Sequence, residues 1–337
     1  MKRLLAALLI GLAAPAAHAA ECVGSNLLTA LPAEDRAAIR SATDAVPFHQ
    51  GILWQASKGK ARITMVGTYH FDHPMHAQTV ARLAPMMAEA DALLVEMGPK
   101  EEEQLKSAML SDPALIMDPT GPTLPERLEP QAWKEVSALL AERGIPAVMA
   151  SKMRPWYVSM MMGMSPCMLQ QVALDGGVDG LDWQLMDLAE KDGLPIQALE
   201  SWDTVLKLFG GLTPQEEVDM ILYTLPAARH ADDYAVTMTD AYVAGDVWQI
   251  WEFGRIDAYR SSGLPKAEVD RLTDEAQVLL MDARNQSWIA PLTAAAKAAA
   301  AKDKGIVAAF GALHLPGEQG VLRLLEKDGW NIERLAY

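Results

Sequence analysis

Four side chains able to bind a metal ion or move a proton stand at the ends of short apolar segments. They are His70, Glu96, Glu200 and His314. Each preceding segment is typical of a buried strand. In open α/β sheets, groups at the carboxyl ends of the strands converge on one crevice, where ligands bind. Two imidazoles and two carboxylates at that edge suit a hard or borderline divalent metal ion.

Two of these segments end in the same Gly-x-x-His pattern. The sequences are GTYH at residues 67–70 and GALH at residues 311–314, and LLVEMGP lies between them in the chain at residues 93–99. A glycine three residues before the histidine lets the backbone turn sharply or approach a neighbouring segment closely. One such pattern means little, but two at strand ends favour a shared site over two structural histidines.

Two further histidines near His70 leave an alternative open. His73 and His76 follow it at three-residue steps, and residues three apart share one face of a helix, so either can join the site. However, Pro74 disfavours helical backbone at His73. We therefore favour loop or helix-start positions at the surface for both.

Methionines and tryptophans offer weaker alternatives. Six methionines occur between residues 153 and 168. Thioethers select Cu(I), but consecutive methionines face different sides of a helix, so we favour an adaptable core or a pliable peptide-binding surface. Trp248 and Trp251 are expected in the core, with the wall of a substrate cleft as the alternative.

Short apolar strands alternate with helical patterns along the chain. The predicted strands are 51–56, 61–67, 92–96, 145–149, 194–200, 305–310 and 330–335. The predicted helices are 32–42, 75–90, 131–143, 156–172, 183–191 and 318–327, with an almost wholly helical stretch at 213–302. This alternation predicts an α/β fold, with a central mixed sheet flanked by helices and a large helical insertion at about residues 201–302.

Residues 1–19 have the features of a signal peptide. Two basic residues precede an apolar run at residues 4–10, and AHA at residues 17–19 is a cleavage signal. The apolar run is too short for a bilayer, which needs roughly 20 residues, so a retained N-terminal anchor is the less favoured alternative. We predict that residues 20–337 form a single periplasmic or secreted domain, with no membrane anchor after cleavage.

The composition is acidic. The chain has 29 Lys and Arg residues against 44 Asp and Glu residues, for a formal net charge of -15. Such a surface repels phosphate backbones, so we expect no nucleic-acid partner.

The chain has only two cysteines, Cys22 and Cys167. In an oxidising compartment this pair favours a disulfide between the N-terminal region and the middle of the chain. Two free buried thiols are the alternative. Neither cysteine lies in a CxxC motif or beside a histidine, so thiol catalysis is not favoured.

The order of these motifs along the chain resembles the TraB/GumN family, which is related to the Tiki-type metal-dependent proteases. The segments that carry the resemblance cover most of the chain after the signal peptide and are LWQASKGKARITMVGTYH, LLVEMGP, GLDWQLMDLAEKDGLPIQALES, ARNQSWIAPL and FGALHLPGEQGVLRLLEKDGW. The resemblance implies that His70, Glu96 and His314 are the active or metal-binding set. It also matches Glu200 to a recurrent Leu-Glu position and adds Arg284.

The favoured function is therefore an exported metal-dependent hydrolase acting on peptide amide bonds of a peptide or protein substrate. A divalent ion (Mn, Co or Zn) bound by His70, Glu96 and His314 would lower the pKa of its water ligand. Glu200 would act as general base or fourth ligand, and Arg284 would steady the developing oxyanion. Glu96 is expected to belong to the catalytic set as well as to the metal ligands.

A non-catalytic peptide-binding or regulatory protein is the alternative. The resemblance suggests it, because family members are associated with pheromone shutdown and with polysaccharide biosynthesis. A copper- or haem-handling protein is a weaker third possibility, since the chain has no CxxCH motif. The sequence also contains neither an HExxH helix nor a G-x-S-x-G motif, which argues against an ordinary zincin or serine hydrolase. The oligomeric state is not indicated.

Overall fold

The computed structural model describes residues 23–175 and 179–336. The predicted signal peptide at residues 1–19 lies outside the described residues, as does Cys22. The export signal and the disulfide between Cys22 and Cys167 therefore stay predictions.

Six β-strands and seventeen α-helices occur in the described ranges. The strands are β1 (Leu53–Lys58), β2 (Ala61–Thr68), β3 (Ala90–Val95), β4 (Ile196–Ala198), β5 (Gly305–Gly311) and β6 (Asn331–Arg334). The helices are α1 (Leu27–Ala30), α2 (Ala33–Asp44), α3 (Met75–Ala88), α4 (Pro99–Ser111), α5 (Leu124–Arg127), α6 (Pro130–Glu142), α7 (Ala147–Ala150), α8 (Pro155–Gly163), α9 (Pro166–Asp175), α10 (Leu181–Asp192), α11 (Thr204–Gly210), α12 (Pro214–Ala228), α13 (Ala231–Val243), α14 (Trp248–Ser261), α15 (Lys266–Gln277), α16 (Ala283–Ala300) and α17 (Val321–Lys327). Within the described ranges, none of these helices combines the length and the hydropathy that a bilayer span requires.

All six strands form one mixed sheet, in the order β4-β3-β5-β2-β1-β6. Strands β2, β3, β4 and β5 are parallel, whereas β1 is antiparallel to both β2 and β6. The β1–β2 hairpin turns at Gly59, whose φ of 61° suits a tight two-residue turn. The predicted α/β fold with a central mixed sheet is thereby confirmed, and the four parallel strands end at one edge.

Helices cover both faces of the sheet, because successive residues of a strand point to opposite faces. Along β5, Ile306, Ala308 and Phe310 pack with residues of α16 and α17. Val307 and Ala309 pack on the other face with residues of α3 and α10. The strand is therefore apolar throughout, as expected for a central parallel strand.

A further apolar core lies among helices alone. Helices α5, α6, α8 and α12 contribute to it through residues that include Leu124, Leu140, Met162 and Ile221. The chain is helical over most of residues 204–300, as predicted. This core, however, also includes helices from before residue 201, so the helical region draws on more of the chain than the predicted insertion.

The strand predicted at residues 145–149 is wrong. The chain leaves α6 through Gly144, whose φ is 77°, and forms the short helix α7 after Pro146. Proline suits a helix start because its φ is fixed near the helical value and a terminal N–H is not needed there. Ile145 packs against the helical core. A short apolar run does not by itself distinguish a strand from a buried helical turn.

Candidate active site

The four strand-end residues lie side by side at the carboxyl edge of the parallel strands. Across that edge they follow the strand order, with Glu200 after β4, Glu96 after β3, His314 after β5 and His70 after β2. The Glu200 N–H donates to the Glu96 carbonyl oxygen at 3.0 Å, which extends the β3–β4 pairing as far as the site. A single 3-10 turn carries the chain from β5 to His314. The structure thus brings together all four residues.

Arg284 connects three of these residues through its guanidinium group. Its Nε and Nη2 donate to the two carboxylate oxygens of Glu200 at 2.6 and 3.0 Å, and Nη2 also donates to Glu96 Oε2 at 2.6 Å. Its Nη1 donates to the Leu280 carbonyl at 3.0 Å and to His314 Nε2 at 3.2 Å. A guanidinium has five N–H donors, so its hydrogen-bonding capacity is used in full.

Arg284 reaches this position from an unusual stretch of helix. A π-helical turn, Val278–Asp282, joins α15 to α16, and Arg284 is the second residue of α16. Such turns are rare and occur frequently at functional sites. One helical turn further on, Trp288 Nε1 donates to Glu200 Oε1 at 3.0 Å. The guanidinium carbon of Arg284 lies 5.2 Å from the Trp288 ring centre, so the indole contacts both Arg284 and Glu200.

Glu96 is held as a carboxylate. While Arg284 contacts its Oε2, the Gly311 N–H donates to its Oε1 at 2.6 Å. Burial disfavours the charged form, but the cationic groups around it and the Gly311 N–H outweigh burial and lower the pKa of Glu96 to about 2. Both oxygens are therefore committed acceptors at neutral pH.

His314 is buried and oriented by Asn285. Asn285 Nδ2 donates to the Gln319 carbonyl at 2.9 Å, so its Oδ1 is the atom that faces His314 Nδ1, at 2.6 Å. Nδ1 therefore carries the ring proton, and Nε2 keeps a lone pair that accepts from Arg284. Burial outweighs the charge of Glu96 and lowers the pKa of His314 to about 4, so the ring is neutral at pH 7.

His70 is the most accessible of the four, with 57% of its side chain exposed. Its Nδ1 lies 3.3 Å from Oδ2 of Asp182, in the first turn of α10. Desolvation disfavours the charged ring, but the hydrogen bond and charge of Asp182, with the charge of Glu96, raise the pKa of His70 to about 9. His70 is therefore an imidazolium at pH 7, and its Nε2 has no hydrogen-bond partner within the described ranges.

The partner of His70, Asp182, was not predicted from the sequence, because 112 residues separate the two side chains along the chain. The Leu181 N–H donates to the Tyr69 carbonyl at 3.0 Å. A Cβ on Gly180 would lie 2.4 Å from the His70 carbonyl carbon, so only glycine permits this approach. The available signal was a carboxylate just after a glycine at a helix start, but the sequence does not tell which segment such a helix end meets.

Close approach, and not a sharp turn, explains both GxxH glycines. A Cβ on Gly67 would lie 2.8 Å from Ala312 Cα, so the glycine lets the end of β2 lie against the chain after β5. A Cβ on Gly311 would lie 3.2 Å from Glu96 Oε1 and 3.6 Å from one atom of each histidine ring. The two histidines and Glu96 therefore surround the space that a side chain on Gly311 would occupy, which we call the open face of Gly311.

The two alternative histidines lie outside this cluster. His73 Nδ1 accepts from the Met75 N–H at 3.1 Å at the start of α3. His76 is fully buried and packs its ring near Tyr69 and Tyr242. Neither ring nitrogen of His76 has a hydrogen-bond partner in the part of the chain that the structure describes. The expected surface position is therefore wrong for His76, because its ring packs among aromatic side chains.

The methionine-rich segment contributes mainly to packing. Met153 and Met162 are buried in the helical core, whereas Met160 is 41% exposed. Trp248 is buried, and its ring centre lies 6.2 Å from that of Trp251. These positions agree with the packing roles that the sequence favours.

A divalent metal ion does not fit the cluster in the arrangement described. The imidazoles of His70 and His314 have suitable donors, and each has a side-chain oxygen facing its Nδ1, as is usual behind histidine ligands. Arg284, however, contacts both His314 Nε2 and Glu96 Oε2. In residues 23–175 and 179–336, no group of three or more His, Cys, Asp or Glu residues is arranged to hold a metal ion. The cation at the centre of the cluster is the guanidinium.

A pocket of about 280 Å³ opens beside the cluster. His70, Glu96 and Asp182 line it on the side of the cluster, and Trp183 and Met186 of α10 form part of its apolar wall. The pocket gives the cluster a neighbouring space large enough for a small chemical group.

Comparison with known protein families identifies a family for this chain. The model of the TraB/PrgY/gumN family matches residues 52–334, a range that contains the whole cluster and both GxxH motifs. The suspected family is thereby confirmed. No curated protein matches the chain.

Proposed function

The chain belongs to the TraB/PrgY/gumN family, and we propose that it is an exported hydrolase of peptide amide bonds. The observation that carries the proposal is the pair of histidines around the open face of Gly311. His314 is neutral, with its lone pair on Nε2, and His70 is protonated beside Asp182. Two titratable groups whose environments push their pKa values apart supply a base and an acid at the same pH.

In this proposal the histidines divide the proton transfers. His314 Nε2 takes a proton from the attacking water, after exchanging its 3.2 Å contact with Arg284 for that water. The water oxygen adds to the amide carbon, and the C–N bond then breaks. His70 Nε2 gives its proton to the leaving amine. The scissile amide group would occupy the space beside Gly311 that lacks a side chain.

Arg284 supplies positive charge near the developing oxyanion, and the two glutamates position it. Glu200 has both oxygens engaged by Arg284 and one of them also by Trp288. We therefore assign Glu200 a positioning role in place of the general-base role predicted from the sequence. Glu96 has the same role towards Arg284 and also fixes the Gly311 N–H.

Metal dependence stays a prediction from the residue types at the strand ends and from the family resemblance. Binding of Mn, Co or Zn by His70, Glu96 and His314 would require the guanidinium to leave Glu96 and His314. Metal analysis after mild purification, followed by peptide cleavage with and without EDTA, tests this prediction. Cleavage that survives chelation supports the histidine acid–base route. Stoichiometric metal, with activity lost to EDTA and restored by one of the three ions, would contradict that route.

Peptide sequestration without cleavage is the second candidate. The observation that favours it is the complete hydrogen bonding of Arg284, which leaves no N–H for a substrate oxyanion unless a contact is exchanged. Wild-type protein that binds peptides without altering their masses would support sequestration over hydrolysis.

Mass spectrometry of a defined peptide mixture incubated with residues 20–337 tests the proposed hydrolysis. We expect His314→Gln and His70→Gln each to slow cleavage by roughly 10²- to 10⁴-fold, the usual contribution of one acid–base group. His230→Gln is the matched control, because His230 lies outside the cluster and 63% of its side chain is exposed. Undiminished cleavage by both site variants would contradict the proposal.

A further inference from the structure

We propose that the pocket beside His70 binds a primary ammonium group carried on a short apolar stem of a peptide substrate. This inference rests on the proposed function, because it assigns the substrate class of the same site. The pocket volume of about 280 Å³ lies at the lower limit for ligand sites, which span about 300–1,000 Å³. It therefore suits one side chain or one chain end, and not an extended segment.

One part of the pocket wall is apolar. Val95, Met97, Trp183 and Met186 line it. Val95 and Met186 are almost completely buried, so this wall is part of the packed edge of the sheet and of α10. A lysine side chain buries its methylene groups along apolar surface while its charged end reaches a polar group. The wall provides such a surface.

The same pocket contains a carboxylate that forms no salt bridge within the described ranges. Glu102, in the first turn of α4, lines it and has no salt bridge to a basic side chain within the described ranges. Glu96 and Glu200, by contrast, are both paired with Arg284. Burial raises the pKa of Glu102, and the charge of Asp182 acts in the same direction, while the charge of Lys106 on the same helix opposes them only in part. A bound ammonium group would stabilise its charged form.

Two buried oxygen atoms of the pocket residues also lack a donor. Thr68 Oγ1 and Asp182 Oδ1 have no hydrogen-bond partner among the described residues, and Thr68 is only 3% exposed. Buried polar atoms are normally satisfied, so each exception asks for an explanation. An ammonium group has three N–H donors and no acceptor, so it would satisfy these covered oxygens once a side-chain shift opened them to the pocket.

The charge of the pocket selects against an anionic ligand. Its lining residues include no Lys or Arg, and the one cationic group, His70, is already paired with Asp182. An acidic side chain would therefore meet the carboxylates of Glu102 and Asp182, with the His70 ring, already paired with Asp182, as the one opposing charge in the lining. A neutral apolar side chain would leave Glu102, Thr68 and Asp182 as they are, and would gain only the contacts with the apolar wall.

Two parts of a peptide carry this chemistry: a lysine side chain and a free N-terminal amine. The probes are peptides of sequence Ala-Ala-X-Ala-Ala amide, in which X is Lys, norleucine or Glu, each with either an acetylated or a free N-terminus. Norleucine retains the apolar stem of lysine without its charge. A preference for acetylated Lys over acetylated norleucine identifies the side chain as the ligand. A preference for free over acetylated norleucine peptide identifies the chain end.

Equilibrium binding of these peptides to wild-type protein, Glu102→Gln and Glu103→Gln tests the proposal. Glu103 is the matched control, because it is the exposed next residue of the same helix. We expect wild type and Glu103→Gln to bind the preferred ammonium peptide about tenfold more tightly than its uncharged counterpart, and the Glu peptide least well. In Glu102→Gln we expect this preference to fall to within about twofold, with binding of acetylated norleucine peptide unchanged.

Three results would contradict the proposed binding of an ammonium group. Equal binding of all the peptides by wild type, or a preference that Glu102→Gln retains, would overturn the ammonium assignment. An equal loss in Glu103→Gln would also overturn it, because the effect would then follow from the general acidity of the surface. These measurements detect binding and not cleavage, so an absence of hydrolysis contradicts the proposed function without affecting this test.

Discussion

At the scale of single residues, Arg284 organises the site. Its side chain is 16% exposed and makes ion pairs with Glu96 and Glu200, whose side chains are 19% and 9% exposed. Two carboxylates so close to each other repel unless a cation lies between them. The planar guanidinium provides that cation with fixed geometry, which an ammonium group does not reproduce.

Replacing Arg284 by Met should therefore destabilise the protein strongly. Breaking a buried ion pair from one side costs about 3–5 kcal/mol, because an uncompensated charge is left behind. Urea unfolding at pH 7 measures this loss. Arg271→Met, which removes a half-exposed arginine of α15 with surface ion pairs, is the control and should change stability little, because surface ion pairs contribute little. Equal stability of the two variants would contradict the central role of Arg284.

The two site histidines predict the pH dependence of peptide cleavage. In the proposed mechanism the base is His314, with a pKa of about 4, and the acid is His70, with a pKa of about 9. Activity should therefore fall as the pH drops through about 4, where His314 becomes protonated. It should also fall as the pH rises through about 9, where His70 loses its proton. The pH profile of kcat/KM measures both limits, and an optimum confined to a narrow range near pH 7 would disagree with these assignments.

His76 predicts a pH effect on stability. Burial, assisted by the charge of His73, lowers its pKa from 6.5 to about 4. Between these values the unfolded chain binds a proton that the folded chain does not, so the free energy of unfolding rises with pH. The contribution of His76 is full above pH 6.5 and is lost progressively towards pH 4. Its size is up to about 3 kcal/mol, from the free energy that one pKa unit represents.

The variant His76→Phe should reduce this slope. Phenylalanine does not titrate and suits a site formed by Tyr69 and Tyr242. We expect unfolding free energies from urea titrations between pH 4.5 and 7 to vary less in the variant than in wild type. His314 has a similarly low pKa and will maintain part of the slope. An unchanged pH dependence would show that His76 is protonated equally in both states.

The sequence predicted much of the site at this scale. His70, Glu96, Glu200 and His314 were found because each closes an apolar segment, and the structure places them at one edge. Arg284 was found through the family resemblance alone. Asp182 was missed because helical periodicity gives no information on which distant segment a helix end contacts.

At the scale of secondary structure elements, the glycine in each GxxH motif sets the distance between strand ends. Gly67 lies against Ala312, and the Gly67 carbonyl also accepts from the Tyr242 hydroxyl at 3.1 Å. A methyl group at Gly67 would collide with backbone atoms, which shift less easily than a flexible side chain. The β2 and β5 ends would then separate, and the two histidines with them.

The substitution Gly67→Ala should therefore lower both stability and activity. Overpacking of this kind typically costs about 1–3 kcal/mol. Gly254→Ala is the matched control, because Gly254 lies within α14 and a Cβ there would meet nothing within 4 Å. That variant should be about 0.5–1 kcal/mol more stable than wild type, since alanine favours a helix interior. Thermal unfolding and peptide cleavage measure the two effects, and a harmless Gly67→Ala would contradict the close-approach explanation.

Periodicity predicted the elements best where apolar runs were long or bounded by turn residues. The β1–β2 hairpin and β5 follow this rule, and both agree with the structure. The run at residues 145–149 failed because Pro146 and the neighbouring helical core decide its conformation. Nothing in the spacing of residues 278–282 indicated a π-helical turn, since a turn of this kind depends on contacts such as that of Leu280 with Arg284.

At the scale of the whole molecule, the site forms because strands β4, β3, β5 and β2 are adjacent and parallel, which brings segments distant in sequence together. Residues from 70 to 314 meet because these four strands end at the same edge. The sequence indicated this convergence through the strand ends. It did not indicate that helices before and after residue 201 share a core. Local periodicity shows which face of a helix is apolar, but not which other helix that face packs against.

The central claim is that His70 and His314 act on one substrate as a pair. A double-mutant cycle on kcat/KM, with His70→Gln, His314→Gln and the combined variant, tests it most directly. Residues that act as a unit are strongly non-additive, so we predict that the double variant is little slower than the slower single variant. Losses that multiply would contradict the account, because they would show that the two histidines contribute independently.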